Sequence, residues 1–344
     1  MDLSRPPVAS LAQFSPRVQV RVHGRALPLR VGSRASPLAL TQTGLFLDEL
    51  AVFCPPLRNA GVFEQHPIRT TGDASQACGA RLADIGGKGL FAKEIHEALA
   101  DGRIDFAVHS LKDLETTLPP GIVLACTLKR EDARDALILA DRGGGLDALG
   151  GDDPFVGLGQ GAVIGSASVR RQAQLLHRRP DLRVVMVRGN VQTRLDRLET
   201  GSYDATLLAF AGLRRLGATP RRMVAIDPEV MVPAAGQGII GITVREEEEE
   251  LRELLAAIED LEAKAVATAE RALLATLDGS CRTPIGGYAV VLPEGRLRLT
   301  GLVAREDGSF LLKRSLEGGW ADAARLGRAL GEALRRDSPD DVFL

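Results

Sequence analysis

AVIGSASVRRQAQLLHRRP, residues 162–180, reads as a short apolar strand, a small polar loop and a helix, with Pro180 beyond the helix end. The same order recurs along the chain. LPLRVGSRASPLALTQTGLFLDEL (27–50) predicts a strand through Val31, a loop, and a helix opening at Pro37 with Ser36 as its N-cap. LRVVMVRGNVQTRLDRLETG (182–201) and YDATLLAFAGLRRLG (203–217) repeat it. GLFAKEIHEALADG (89–102) predicts an amphipathic helix closed by Gly102, and RIDFAVHSLKDL (103–114) a strand running into a polar loop. Strands alternating with helices imply right-handed βαβ units in mostly parallel sheets. Ligands of such sheets sit beyond the carboxyl ends of the strands.

The rest of the chain is bounded by composition. At 344 residues it exceeds one ordinary core, so two or three domains are expected. Net charge is −2 and aromatic content 4%, which excludes a general basic field for nucleic acid and a base-stacking platform. No apolar run approaches the roughly 18 residues of a membrane span. Residues 1–27 lack a secretory apolar core and read as an extension without ordered structure. The Gly- and Asp-rich stretch 141–161 reads as loop, and REEEEELRELL (245–255) as the start of a charged helix whose acidic run suits a first turn. Residues 256–277 predict a long amphipathic helix ending before Gly279. RLRLTGLVAREDGSFLLKRSLEG then predicts antiparallel strands around a D-G turn, followed by a helix from Trp320: a separate small domain.

Cations collect in the loops after the strands. Arg34, Lys112, Arg170, Arg171, Arg188, Arg194, Arg214 and Arg215 all stand at or near expected helix starts, where cations do not help the helix dipole. Their recurrence in one topological position points to a site for a small polyanion, with guanidinium forks suited to carboxylates. Asp113 is a carboxylate inside this basic set. It suits stabilisation of a cationic intermediate or exchange with a substrate N–H. Standing alone, Lys112-Asp113 would read as a surface pair, and His109 in AVHS as a structural histidine.

Other signals lead away from familiar chemistries. GQGIIG (236–241) precedes an apolar strand instead of following one, so it is a poor dinucleotide fingerprint. GGKGLF lacks Walker spacing, and neither HExxH nor GxSxG occurs. Cys54, Cys78, Cys126 and Cys281 form no CxxC pair, so a zinc site is unsupported. Cys126 reads as a core strand residue, and Cys54 and Cys78 as incidental small residues. Cys281 is different. It sits in LDGSCRTPIGG, between Gly279 and a proline-containing turn, where a packing role is odd and no base for nucleophilic turnover is evident.

VGSRASPLALTQ, TTGD, GGKGLFAKEIHEAL, DFAVHSLKDL, KREDARDAL, GSASVRRQAQLLHRRPDL, RGNVQTRLDRL, PAAGQGIIGI and GSCRTPIGGYA occur in the order seen in the porphobilinogen deaminase (hydroxymethylbilane synthase) family. The resemblance covers roughly residues 28–310. It implies two periplasmic-binding-protein-like lobes with mostly parallel sheets and hinge crossovers, plus a small α+β C-terminal domain. Carried onto this chain, the first lobe is 28–128 with 233–250, the second 129–232, and the third domain 251–344. The implied enzyme is a cytoplasmic, monomeric transferase of tetrapyrrole biosynthesis. It joins four porphobilinogen molecules head to tail with loss of ammonia and releases hydroxymethylbilane; the other class open to this scaffold is a two-lobed binder of a small polyanion without turnover. A dipyrromethane cofactor is implied on Cys281 by a thioether. Asp113 matches the catalytic aspartate. Lys112, Ser110, Ser168, Arg170, Arg171 and Arg194, with Asp73 and Gln237, match cofactor-binding positions; Arg34, Arg188, Arg215 and Lys88 match substrate-binding ones. The chain departs from the family pattern at Glu115, where proline usually follows HSLKDL, at Asp84, and at Ala167, beside a retained Ser168.

Overall fold

The computed structural model describes residues 27–59, 61–74, 89–141, 153–279 and 283–343. Its thirteen strands among these residues fall into three sheets. In the first, β1 (Leu29–Arg34) lies between β2 (Phe63–Ile68) and β3 (Phe106–Ser110), and β10 (Ile240–Arg245) lies between β3 and β4 (Ile122–Thr127). The second repeats the plan. There β6 (Val163–Ser166) lies between β7 (Arg183–Met186) and β8 (Ala205–Ala209), and β5 (Asp135–Leu139) lies between β8 and β9 (Met223–Ala225).

Half of each sheet is parallel, as the βαβ grammar requires, and half is antiparallel. β1 pairs in parallel with β2 and β3, and β6 with β7 and β8. β10 and β5 run against both their neighbours. The physical reason is connectivity. The chain leaves the first sheet after β4 and enters the second at β5, then leaves after β9 and re-enters the first at β10. Each sheet thus takes in one reversed strand from a crossover segment.

Local sequence explains the connecting helices. Helix α1 (Pro37–Phe53) starts as expected: Ser36 Oγ accepts from Ala39 N at 3.3 Å, and Pro37 fills the first turn. A short turn, α2 (Thr71–Ala74), follows β2, and α3 (Lys93–Ala100) precedes β3. In the second lobe, α4 (Val169–Arg178) is capped by Ser168, α5 (Val191–Glu199) by Asn190, and α6 (Phe210–Arg215) follows β8 directly. The crossovers α1 and α4 carry the chain between parallel neighbours, which a hairpin cannot do.

The C-terminal domain is antiparallel: β11 (Ile285–Leu292), β12 (Arg296–Ala304) and β13 (Leu311–Gly319), with the β12–β13 turn at Asp307-Gly308 as the sequence implies. Helices α7 (Glu249–Ala256) and α8 (Leu261–Thr276) precede it, and α9 (Ala323–Arg336) closes it. The helical stretch from the acidic run to Gly279 is broken at 257–260. Asp260 accepts from Ala263 N at 2.7 Å as the cap of α8, and its own N–H donates to Thr127 O of β4 at 2.9 Å. The break pins α8 to the first lobe. The core packed by α8, α9 and the third sheet also takes in Leu111, Leu114 and Ile239, so it extends under the turn that carries Asp113.

Candidate functional site

The site grows from the carboxyl ends of the parallel strands. Arg34 is the last residue of β1. Its guanidinium donates to both Asp73 oxygens and, through Nη1, to Asp113 Oδ2 at 3.1 Å. The ring of Phe91 covers it, 4.3 Å from Cζ to centroid. Thr70 Oγ1 donates to Asp73 at 2.9 Å. Burial works to raise the Asp73 carboxyl, and the bonds from Arg34 and Thr70 overcome it and hold it below its usual range.

Asp113 closes a single 3₁₀ turn, Leu111–Asp113, that follows β3. Both ends of that turn are anchored. Leu111 N donates to Ile239 O at 3.0 Å, and the Leu111 and Leu114 side chains are buried. Just before it, Ser110 Oγ donates to buried Gln42 Oε1 at 2.9 Å, and His109 Nε2 lies 2.8 Å from Thr243 Oγ1. His109 is thus structural. Burial, then His96 and Arg34, push its imidazole down to about 3.

Lys112 points across to the second lobe. Its Nζ donates to Gln237 Oε1 at 3.4 Å, and Gln237 Nε2 donates to Asp135 Oδ1 at 2.9 Å and to Ala133 O at 2.7 Å. Asp135, fully buried at the head of β5, is clasped by two arginines from the start of α4. Arg170 Nη1 donates to it at 2.8 Å and Arg171 Nη2 at 2.7 Å. Arg170 also donates to Val232 O, and Arg171 to Leu207 O. Arg194, in the first turn of α5, donates through Nε to Gly189 O at 3.0 Å. Gly189 has φ +125°, and a Cβ there would lie 2.9 Å from Thr193 Cγ2, so the close turn into α5 requires glycine. Arg188, at the entry to this turn, is 8% exposed. Ser168 is the α4 cap, accepting from Arg171 N.

The group is electrostatically short of anions. Burial, then the Arg170 and Arg171 charges opposite, lower the Lys112 ammonium to about 8 against the pull of Asp113 and Asp135. Burial and Arg171 press down on Arg194, and burial outweighs Asp135 at Arg170. Asp135 itself is held well below its usual range: burial raises it, and Arg170 and Arg171 more than reverse that. A site that disfavours its own cations is relieved by a guest bearing several carboxylates. The donor set therefore fits a dipyrromethane with acetate and propionate arms, which Lys112, Arg170, Arg171 and Arg194 would hold.

Two expected positions lie elsewhere or differ. Arg214 and Arg215 occupy the last turn of α6, not a helix start; cations are favoured there by the dipole, so their presence needs no ligand. Arg215 Nη2 donates to Gly238 O at 2.7 Å, on the crossover between β9 and β10. Lys88 and Cys281 fall outside the described residues, as do Asp84 and Cys78.

Sequence reasoning passed over Asp135, Gln42, Phe91 and the pair Arg130–Glu270. Glu270 is fully buried and accepts from Arg130 Nη1 at 2.6 Å, Gly236 N at 2.6 Å and Ala289 N at 2.7 Å, and Arg130 Nε donates to Gln237 O. The pair ties both crossover segments to the C-terminal domain. A signal existed for each acid: Asp135 opens an apolar strand, and Glu270 falls on the buried stripe of α8 with Ala263, Val266, Ala267 and Leu273. Gln42 and Phe91 carried no such signal.

Comparison with known proteins gives the family. Residues 29–253 match the family model "Porphobilinogen deaminase, dipyromethane cofactor binding domain", and residues 264–336 match "Porphobilinogen deaminase, C-terminal domain". Porphobilinogen deaminase of Paracoccus denitrificans is 46% identical over 316 residues, covering 92% of this chain and 96% of that protein. The chloroplastic porphobilinogen deaminase of Pisum sativum is 46% identical over 309 residues, 89% of this chain and 80% of that protein. Among solved structures, the VFT2 domain of Bordetella pertussis BvgS (double mutant) is similar at TM-score 0.37 and 15% identity, over 70% of this chain and 92% of that one; it is too distant to bear on function. With both family models matched in order and relatives near half identity along most of its length, the chain belongs to the porphobilinogen deaminase family.

Proposed function

We propose that the chain polymerises four porphobilinogen molecules head to tail and releases hydroxymethylbilane. The observation that carries this reading is the cluster of Lys112, Arg170, Arg171 and Arg194 beside Asp113, one of the two carboxylates that Arg34 holds, within a porphobilinogen deaminase family chain. Each coupling forms a bond from the aminomethyl carbon of one unit to the unsubstituted ring carbon of the chain end. It breaks the aminomethyl C–N bond, and the ring proton leaves with the amine as ammonia. Water then releases the finished tetramer.

The dipyrromethane, when bound, supplies the pyrrole end at which the chain starts. The protein's own residues bind, orient and stabilise. Asp113 offers a carboxylate to a pyrrole N–H and offsets the positive charge that builds as ammonia departs. Arg34 holds that carboxylate in one direction. Lys112, Arg170, Arg171, Arg188 and Arg194 neutralise acetate and propionate groups, whose burial would otherwise be costly. Ser110 and Ser168 line the entries to the two turns, Gln237 links Lys112 to Asp135, and Asp73 braces Arg34.

In this reading residues 28–128 with 233–250, 129–232 and 251–344 are three domains, and Cys281 on the third tethers the cofactor by a thioether. The placement of the three sheets supports that division. Lys88 and Arg215 are assigned to the incoming substrate, though the bond from Arg215 to Gly238 O makes it also a brace of the crossover. The reading includes a monomer working in the cytoplasm, without nucleic acid or membrane. The near-neutral charge offers no general field for nucleic acid, and among the described residues no helix is long and apolar enough to cross a membrane.

The test is direct. Purified protein consumes porphobilinogen and forms a linear tetrapyrrole, and its intact mass exceeds the sequence mass by two pyrrole units. Cys281→Ala abolishes the excess. A protein that binds porphobilinogen without consuming it would show a binder instead of an enzyme.

A further inference from the structure

Glu115 stands two residues beyond Asp113, and the reaction as described gives it no role. Its side chain is 14% exposed and meets the 3% exposed His96 of α3, with Oε1 3.1 Å from Nδ1, a charge contact when the imidazole is protonated and not an aligned hydrogen bond. Its backbone carbonyl and that of Thr116 accept from Arg271 Nη2 of α8 at 2.8 and 3.2 Å. The carboxylate also fills the space over Gly89: a Cβ built there would lie 3.0 Å from Oε1, and Gly89 has φ +76°. From Gly89 the chain passes through Leu90, whose carbonyl accepts from Gly72 N at 2.8 Å, to Phe91, which covers Arg34. Arg34 in turn holds Asp113. The contacts close a ring from Asp113 through Arg34, Phe91 and Gly89 to Glu115, and back along the chain to Asp113.

A carboxylate in such a place costs stability unless its ionised form has partners. Burial works to raise Glu115, and His96 first, then Arg271, bring it below its usual range. The charged or titratable groups facing the pair are Arg271 from α8 and His109 from β3, whose ring lies 5.7 Å from that of His96.

We infer that Glu115, paired with His96, is a positioning residue that locks the Asp113 turn against the Gly89–Phe91 turn and so fixes the direction from which Arg34 holds Asp113. This rests on the reading of Asp113 as the catalytic carboxylate. Glu115 acts through its neighbours and touches no reacting atom, so its effect falls on kcat and spares KM.

The test uses the full-length protein with its cofactor. Glu115→Gln removes the charge and keeps the shape; the double variant His96→Glu/Glu115→His restores a pair in reverse order. Glu115→Gln is expected to lower kcat about tenfold or more, with KM within about twofold. The reversed pair is expected to recover most of that loss, as coupled neighbours do. Amide exchange over residues 111–116 is expected to quicken in Glu115→Gln and return in the reversed pair. Should Glu115→Gln not fold, Glu115→Asp, which keeps the charge but shortens the reach to His96, takes its place. If Asp113→Ala is inactive while Glu115→Gln keeps the parental kcat and pH profile, the positioning role is overturned and the reading of Asp113 stands. If Asp113→Ala turns over normally, that reading fails, and the exchange data decide alone: unchanged exchange overturns the lock, and faster exchange with recovery supports it.

Discussion

At the scale of single residues, the site is a contest between burial and charge. Asp113 is set by one guanidinium and one 3₁₀ turn, so its replacement leaves the hydrogen bonds of the cation-rich half of the site in place. Asp113→Ala is expected to lose roughly 100- to 1,000-fold in kcat while retaining the covalent adduct in the intact mass. Near-normal turnover would remove its catalytic role. Lys112 offers a titration. Its ammonium is lowered from 10.5 to about 8 by burial first and by Arg170 and Arg171. A carboxylate guest opposes all of that, so the Lys112 midpoint is expected near 8 in cofactor-free Cys281→Ala and higher in the loaded protein. Isotope-labelled dimethyl-lysine resonances followed with pH report both values. The residue types at these positions were legible in sequence, because cations recurring after strands are out of place for helix dipoles. Their partners were not. That Arg170 and Arg171 share one aspartate 35 and 36 positions earlier is a fact of sheet order, since β5 is brought beside β8 by the crossover.

At the scale of elements, two buried acids hold the parts in register. Asp135 binds the start of α4 to the head of β5, and Glu270 binds α8 to both crossover segments. Removing one partner from such a site leaves buried charge uncompensated. Asp135→Asn and Glu270→Gln are each expected to cost about 3–5 kcal/mol, read from denaturant midpoints with unchanged slopes. Asp135 also predicts a pH dependence. Its folded pKa is depressed, so the unfolded chain binds the proton more readily and stability falls with falling pH. Its contribution is full above the unfolded value of about 3.9 and is lost as pH drops below it. Acid unfolding of the parent is therefore expected to be steeper below about pH 4 than that of Asp135→Asn, which keeps only the share of groups such as Asp73. Elements themselves were largely readable from periodicity and caps, as at Ser36. The exceptions have tertiary causes. α7 and α8 part at Asp260 because its N–H is claimed by Thr127 of β4, a contact that no helical periodicity announces.

At the scale of the whole molecule, a surplus of cations is gathered where two sheets and a third domain meet. Cofactor-free protein should therefore be stabilised by polycarboxylates such as citrate more than the loaded protein is, because in the proposed reading a bound dipyrromethane would already hold carboxylates there. A thermal midpoint that rises equally in both would show that the added anion acts elsewhere. The sequence by itself determined the alternation of strands and helices, the cation-bearing loops, the carboxylate at 113 and the odd thiol at 281, because each is a local matter of residue type, spacing and helix dipole. Only the tertiary structure decided which loops meet. The chain crosses between sheets twice, each crossing inserts one reversed strand, and that topology carries Lys112 of one lobe to Gln237 and Asp135 beside the arginines of the other. Charges far apart in sequence interact only at short range, so their pairing waits on the fold that removes the water between them.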